Sequence, residues 1–118
     1  MIVVDASAVI NLLLAKPQAA SIVARMYGRN GRAFAPALLE VEVLHVLRRL
    51  LRADELSLER AAEAIDLFHD LPIHPVGHRP IAGRIWGLRH QFSAYDAAYV
   101  ALAEAMDGRD RDLVESRY

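Results

Sequence analysis

Short apolar runs that read as strands alternate along this chain with stretches of helical periodicity. Strands separated by helices pair through crossovers, so the alternation predicts an α/β fold on a short, mostly parallel central sheet. The first run, Ile2-Val3-Val4, reads as a buried strand ending at Asp5, with a helix opening from the cap-capable Ser7. Pro17 suits the first turn of a second helix reaching about Tyr27, closed by the stretch from Gly28 to Gly31. Ala33-Phe34-Ala35 is the second predicted strand, and Pro36 stands at the next helix start. From Ala37 to Arg52, Leu39, Val43, Val46 or Leu47, and Leu50 recur at helical spacing. Ser57 caps a helix behind it that covers Ala61 to His69, and Ile73-His74-Pro75-Val76 is a weak third strand. Pro80 begins a helix to about His90, and Ser93 caps the last long one, Ala94 to Met106. No linker, repeat or low-complexity segment divides residues 1–118, so one domain is expected.

Composition excludes more than it identifies. With no cysteine there is neither a disulfide framework nor a thiolate metal site, which fits a reducing cytoplasm. No apolar run approaches the roughly 20 residues that span a bilayer, so no membrane partner is expected. A formal net charge of −1 announces no global attraction to nucleic acid, and Lys16 is the lone lysine among the basic residues.

Three acids sit in apolar contexts: Asp5 at a strand end, Glu42 within Leu38–Leu44, and Asp96 at the head of an alanine-rich helix. A charged carboxylate buried there costs several kcal/mol unless a cation or a metal meets it. Each also has a simpler use. Asp5 can cap the first helix, Glu42 can pair with Arg49 or Arg48, and Asp96 can favour a helix dipole. If they converge, hard divalent cations are the natural ligands, since Mg²⁺ takes carboxylate oxygens and keeps waters for phosphates.

The segments carrying these acids resemble the PIN-domain family, its VapC-like toxins in particular. Ile2-Val3-Val4-Asp5-Ala6-Ser7 is similar to the family's opening strand and aspartate. The second motif is matched from Ala35-Pro36 to Arg48-Arg49, with Glu42 six residues after the proline and Glu40 as its neighbour. Ser93-Ala94-Tyr95-Asp96-Ala97-Ala98-Tyr99 resembles the third motif, the most specific of the three. Asp110, three residues before Leu113, fits the fourth acidic position, for which Asp107 or Asp112 can substitute. The hydrophobic strand that the family places ahead of that acid is missing, which leaves the expected sheet one strand short.

The resemblance implies a three-layer α/β/α fold and a Mg²⁺-dependent endoribonuclease, with Mn²⁺ an alternative ion. Asp5, Glu42, Asp96 and Asp110 would hold the metal, directly or through water, with Ser7 supporting a carboxylate. It also implies an RNA substrate, a cognate antitoxin that silences the enzyme, a homodimer and a cytoplasmic setting. A dimer face can be drawn from Val9, Ile10 and Leu12 to Leu14, which core packing explains equally well. Arg48, Arg49 and Arg52, with Arg109 and Arg111, are candidate phosphate contacts. Trp86 and Phe92 can stack on bases, although core packing is the favoured reading for both.

Competing readings are weaker. His69, His74 and His78 have spacing for zinc, but Pro72, Pro75 and Gly77 interrupt any helix that would align them. A haloacid-dehalogenase-like phosphatase needs an acid where Ser7 stands, and a response-regulator receiver needs a late lysine. The alternative of another class is a PIN-like interaction module with impaired catalysis, motivated by the missing strand.

Overall fold

The structure, a computed structural model, describes residues 2–14, 19–26 and 32–107. Three strands and six helices follow in order: β1 (Ile2–Val3), α1 (Ala6–Leu13), α2 (Ala19–Met26), β2 (Ala33–Pro36), α3 (Leu38–Arg52), α4 (Leu58–Asp70), β3 (Ile73–Val76), α5 (Ala82–Gly87) and α6 (Ala94–Met106), with a 3-10 turn, Arg79–Ile81, before α5. Both strand pairings are parallel, and β2 lies between β1 and β3. Pro17, Tyr27 and the stretch from Gly28 to Gly31 lie outside the described residues, as do Asp110 and Asp112. Among the described residues the sheet has three strands.

The pleat of β2 divides the interior into two cores. Ala33 and Ala35 face a cluster with Val4, Val9, Ile10, Leu13, Leu39, Val43, Leu47 and Ala64. Phe34, between them, faces the other way, onto Val76, Ile81, Ala101, Leu102, Ala105 and Met106. Successive strand side chains point to opposite faces, so a strand buried throughout serves two layers at once. Helices α1 to α4 cover one face and α5 with α6 the other, the three-layer α/β/α arrangement. β3 is an edge strand with His74 and Pro75 exposed, which is why its apolar signal is faint and why a proline is tolerated.

Local signals set most helix ends. Ser57 Oγ accepts the Arg60 N–H at 3.1 Å, and Ser93 Oγ accepts the Asp96 N–H at 3.1 Å. At the first helix the capping use offered for Asp5 holds rather than an opening at Ser7: Asp5 Oδ1 accepts the Ala8 N–H at 2.9 Å, and Ser7 lies inside the first turn. At the end of α3 the Glu55 N–H reaches the Leu50 carbonyl and the Asp54 N–H the Leu51 carbonyl, with Asp54 at φ 58°. This Schellman closure puts an aspartate where glycine is the usual signal. The helix expected from Pro80 to about His90 is instead the 3-10 turn followed by the shorter α5.

Two packing expectations change. Val9, Ile10 and Leu13 are buried in the first core, so the early helix supplies interior rather than a dimer face. Trp86 and Phe92, read as core residues, are exposed. The α5 and α6 helices are tied by a two-bond fork, Arg84 Nε to Glu104 Oε1 at 2.7 Å and Nη2 to Oε2 at 3.0 Å. The hydrogen bonds and charge of Arg84 hold the Glu104 carboxyl below the usual glutamate range. A depressed folded-state pKa means the contribution is present above the ordinary glutamate pKa and lost as pH falls through the folded value. Glu104→Gln is therefore expected to melt slightly below wild type at pH 7, with the gap closing below about pH 4. Thermal melts of both proteins from pH 3 to 7 check this; a gap independent of pH overturns it.

Candidate active site

The carboxyl edge of the parallel sheet is where this architecture leaves a crevice between helices. Here β1 ends immediately before Asp5, α3 leaves the end of β2 and presents Glu42 from its second turn, and α6 presents Asp96 from its first. These three side chains line one open pocket of about 210 Å³ with Ala6, Ser7 and Tyr99. Among the described residues no lysine or arginine is in that lining.

The acids are not buried. Asp5 and Asp96 are exposed and Glu42 is half-buried, and no polar or charged residue is buried among the described residues. The expectation of buried carboxylates fails because α6 is not apolar on every face. Ala97, Ala98, Ala101, Leu102, Ala105 and Met106 are buried, while Ala94, Tyr95, Asp96, Ala103 and Glu104 face outward. Alanine is a good helix former on either face, so an alanine-rich sequence does not by itself report burial. What remains unusual is three carboxylates around one hollow that no described cationic side chain lines.

Glu42 does not pair with Arg48 or Arg49. Its Oε1 accepts a short hydrogen bond from the Tyr99 hydroxyl. Asp96 and Tyr99 are three residues apart on α6 and so share a face, which turns both toward the pocket. Partial burial, then the bond to Glu42, then the charges of Glu42, Asp5 and Asp96 push the Tyr99 hydroxyl far above the ordinary tyrosine range. It therefore stays a hydrogen-bond donor, and all three carboxylates act on it. Tyr99 lies in the third motif but carried no assigned role from sequence; its spacing from Asp96 was the available signal.

The donor set is all oxygen, carboxylate and hydroxyl, without imidazole or thiolate. Such a set fits a hard divalent cation and not zinc or copper. No three His, Asp or Glu side chains among the described residues make a closed cage. An ion here would rest on one or two carboxylates and complete its shell with water, as Mg²⁺ commonly does. Of the sequence candidates, Asp5, Glu42, Asp96 and Ser7 are brought together; Asp110 lies outside the described residues, and Asp107 is the exposed residue ending α6.

The histidines are employed separately. His69 Nε2 stands 3.4 Å from Glu40 Oε1, His78 Nε2 accepts the Leu38 N–H at 3.2 Å, and His74 lies against the Phe34 ring. A second hollow, about 170 Å³, is walled mostly by apolar side chains, with Glu40 and His69 as its ionisable pair. Neither arrangement gathers a metal site.

Comparison with known proteins agrees with the motifs. The PIN domain family matches residues 2–115. Ribonuclease VapC1 of Mycobacterium tuberculosis is 43% identical over 106 residues, covering 89% of this chain and 79% of that protein. Ribonuclease VapC9 of the same organism is 40% identical over 91% of this chain and 80% of its own length, and Ribonuclease VapC12 is 34% identical over 90% and 81%. A family match across nearly the whole sequence, on a parallel sheet whose carboxyl edge gathers the motif acids, means that this chain belongs to the PIN domain family.

Proposed function

We propose that this chain is a metal-dependent endoribonuclease, the toxin of a toxin–antitoxin pair, in which Asp5, Glu42 and Asp96 hold Mg²⁺ or Mn²⁺. The observation that carries the reading is the open acidic pocket, whose lining among the described residues contains three carboxylates and no cationic side chain. Like charges gathered in this way repel unless a cation joins them. Relatives that bear the name ribonuclease, at 34–43% identity over most of the chain, support the RNA substrate.

When bound, a divalent ion supplies charge that neutralises the scissile phosphodiester and lowers the pKa of the attacking water. The chain's own groups do the holding. Asp5 has one oxygen committed to the α1 cap, so helix and pocket are oriented by the same side chain. Tyr99 fixes the rotamer of Glu42 by donating to it. Ser7 reaches the pocket from the first turn of α1, where its hydroxyl can support a carboxylate. Asp110 is proposed as a fourth acid. A cognate antitoxin would silence the enzyme most directly by bringing an arginine into this acidic pocket, and a homodimer in the cytoplasm completes the proposal.

The test is cleavage of a panel of structured RNAs by the purified, antitoxin-free protein with Mg²⁺, with Mn²⁺ and with EDTA. Cutting is expected with either ion and none with EDTA. Asp5→Asn is the better control than Asp5→Ala, because asparagine also caps a helix and alanine would remove about 1 kcal/mol of capping. Metal-independent cutting, or full activity of Asp5→Asn, would refute the assignment. A folded protein that neither cuts RNA nor binds the ions would instead favour the interaction module.

Tyr99→Phe isolates the positioning role. It removes one oxygen without opening a cavity, and leaves a half-exposed carboxylate to water, at about 1 kcal/mol of stability. Activity at limiting metal is expected to fall about 10- to 100-fold, the usual effect of losing a group that orients a ligand. Saturating Mg²⁺ should recover part of it. Unchanged metal dependence would mean that Tyr99 does not position Glu42 for the ion.

A further inference from the structure

The nuclease reading explains how a phosphodiester could be cut but not how a nucleic acid is held beside an acidic pocket. The residues next to Asp96 supply a candidate. Among the described residues, the Phe, Trp and Tyr rings that are exposed all fall between Trp86 and Tyr95: Trp86 at 68%, Phe92 at 41% and Tyr95 at 67%. Large aromatic rings left in water are unusual for a packed domain and mark contact surfaces.

Topology puts them at one end of the molecule. Arg84 of α5 grips Glu104 near the carboxyl end of α6, so the chain runs along α5 toward the amino end of α6. Trp86 closes α5, Phe92 lies in the turn, and Tyr95 lies in the first turn of α6 beside Asp96. Tyr95 is also one helical turn before Tyr99, which lines the pocket, so the Tyr95 end of the tip adjoins the acids.

Its charge has the sign that a polyanion needs. Between Trp86 and Tyr95 there is no carboxylate, and the exposed Arg89 stacks its guanidinium 4.7 Å from the Trp86 ring centre while donating to the Trp86 carbonyl at 3.0 Å. An arginine held over an indole and tied to its carbonyl is a preorganised phosphate contact.

We propose that the α5–α6 tip is a stacking platform for unpaired bases of the RNA flanking the cleaved phosphodiester, with Trp86, Phe92 and Tyr95 as ring faces and Arg89 as the phosphate contact. This rests on the nuclease reading and extends it to the class of substrate: RNA with splayed single-stranded bases rather than a continuous duplex. Sequence-specific and single-strand RNA recognition commonly works through aromatic stacking of this kind.

Trp86 is the only tryptophan in the chain, so its emission reports on the platform directly. The protein in EDTA, where cutting is not expected, is titrated with a short unpaired 2′-O-methyl oligoribonucleotide of mixed sequence and with an abasic ribose-phosphate strand of equal length. Emission is read together with the anisotropy of the labelled strand. Saturable quenching by the base-bearing strand is expected, with affinity about 5- to 100-fold above the abasic one. Trp86→Ala and Tyr95→Ala should each erase much of that difference, and Trp86→Phe should retain most of it; both sites are exposed, so folding is preserved. Equal affinity for both strands, binding without quenching, or no binding of the base-bearing strand overturns the proposal. So does a blue shift of Trp86 emission with protein concentration alone, which would place the ring against a second copy. The two readings fail separately: quenching without Mg²⁺-dependent cleavage supports the platform and removes the nuclease, whereas cleavage without base-dependent affinity removes the platform alone.

Discussion

Asp96→Asn is expected to lower metal-dependent RNA cleavage on the order of 100-fold or more, while changing stability by less than about 1 kcal/mol. The substitution keeps the shape of the side chain and removes one charge from the pocket. Asp96 is exposed, so no cavity forms, and the cap of α6 uses its backbone N–H rather than its carboxylate. Two electrostatic changes then oppose each other. A first-turn carboxylate is favoured by the helix dipole by about 0.3–1 kcal/mol, and that is lost. Repulsion from Glu42 and Asp5 across the same hollow is relieved. The fold should therefore persist while the ion loses a ligand. Cleavage time courses and melts with and without Mg²⁺ separate the effects: wild type should gain stability from the ion and the variant should gain less. Near-wild-type cutting by a folded Asp96→Asn protein would end the metal-site assignment.

Phe34→Ala is the largest expected effect on stability, a loss of about 3–5 kcal/mol. Phe34 sits on the central strand, 1% exposed, and faces the core beneath α5 and α6. Its removal leaves a void bounded by Val76, Ile81, Leu102 and Met106, and strands on both sides limit collapse into it. Against a typical total of about 5–15 kcal/mol, that loss unfolds much of the protein on modest heating. Cleavage should fall because α6, which carries Asp96 and Tyr99, rests on this core, and it should recover on cooling. Asp96→Asn would not recover. Phe34→Leu, keeping most of the volume, should lose no more than about 1.5 kcal/mol. Urea titrations check both; a loss under about 1 kcal/mol for Phe34→Ala would mean the second layer is held by other contacts.

Much of this fold is written locally. Ser57 and Ser93 cap the helices that follow them because a hydroxyl three residues before a free N–H is a short-range device. The run Leu39, Val43, Leu47 is buried as its spacing implied. Where a local signal was weak or atypical, the reading slipped. β3 is faint because an edge strand needs only one covered face, and Asp54 occupies a left-handed turn without the glycine that would have marked it. At Asp5 the simple reading holds and leaves room for the other: one oxygen caps α1 while the side chain still lines the pocket.

The candidate acids could be named from motif spacing, but the reason first given for noticing them, burial, was wrong. Burial depends on which layer covers a helix face, and an alanine-rich segment carries little information about that. Element order, the strand–helix alternation, the caps and the identities of Asp5, Glu42 and Asp96 were determined by the sequence, since each is a property of neighbours along the chain. Tertiary structure alone decided that Glu42 is met by Tyr99 rather than by an arginine, that the early apolar helix is core, and that Trp86 faces water. Those outcomes join residues far apart in sequence or turn on which faces remain uncovered, and no local pattern of side chains records them.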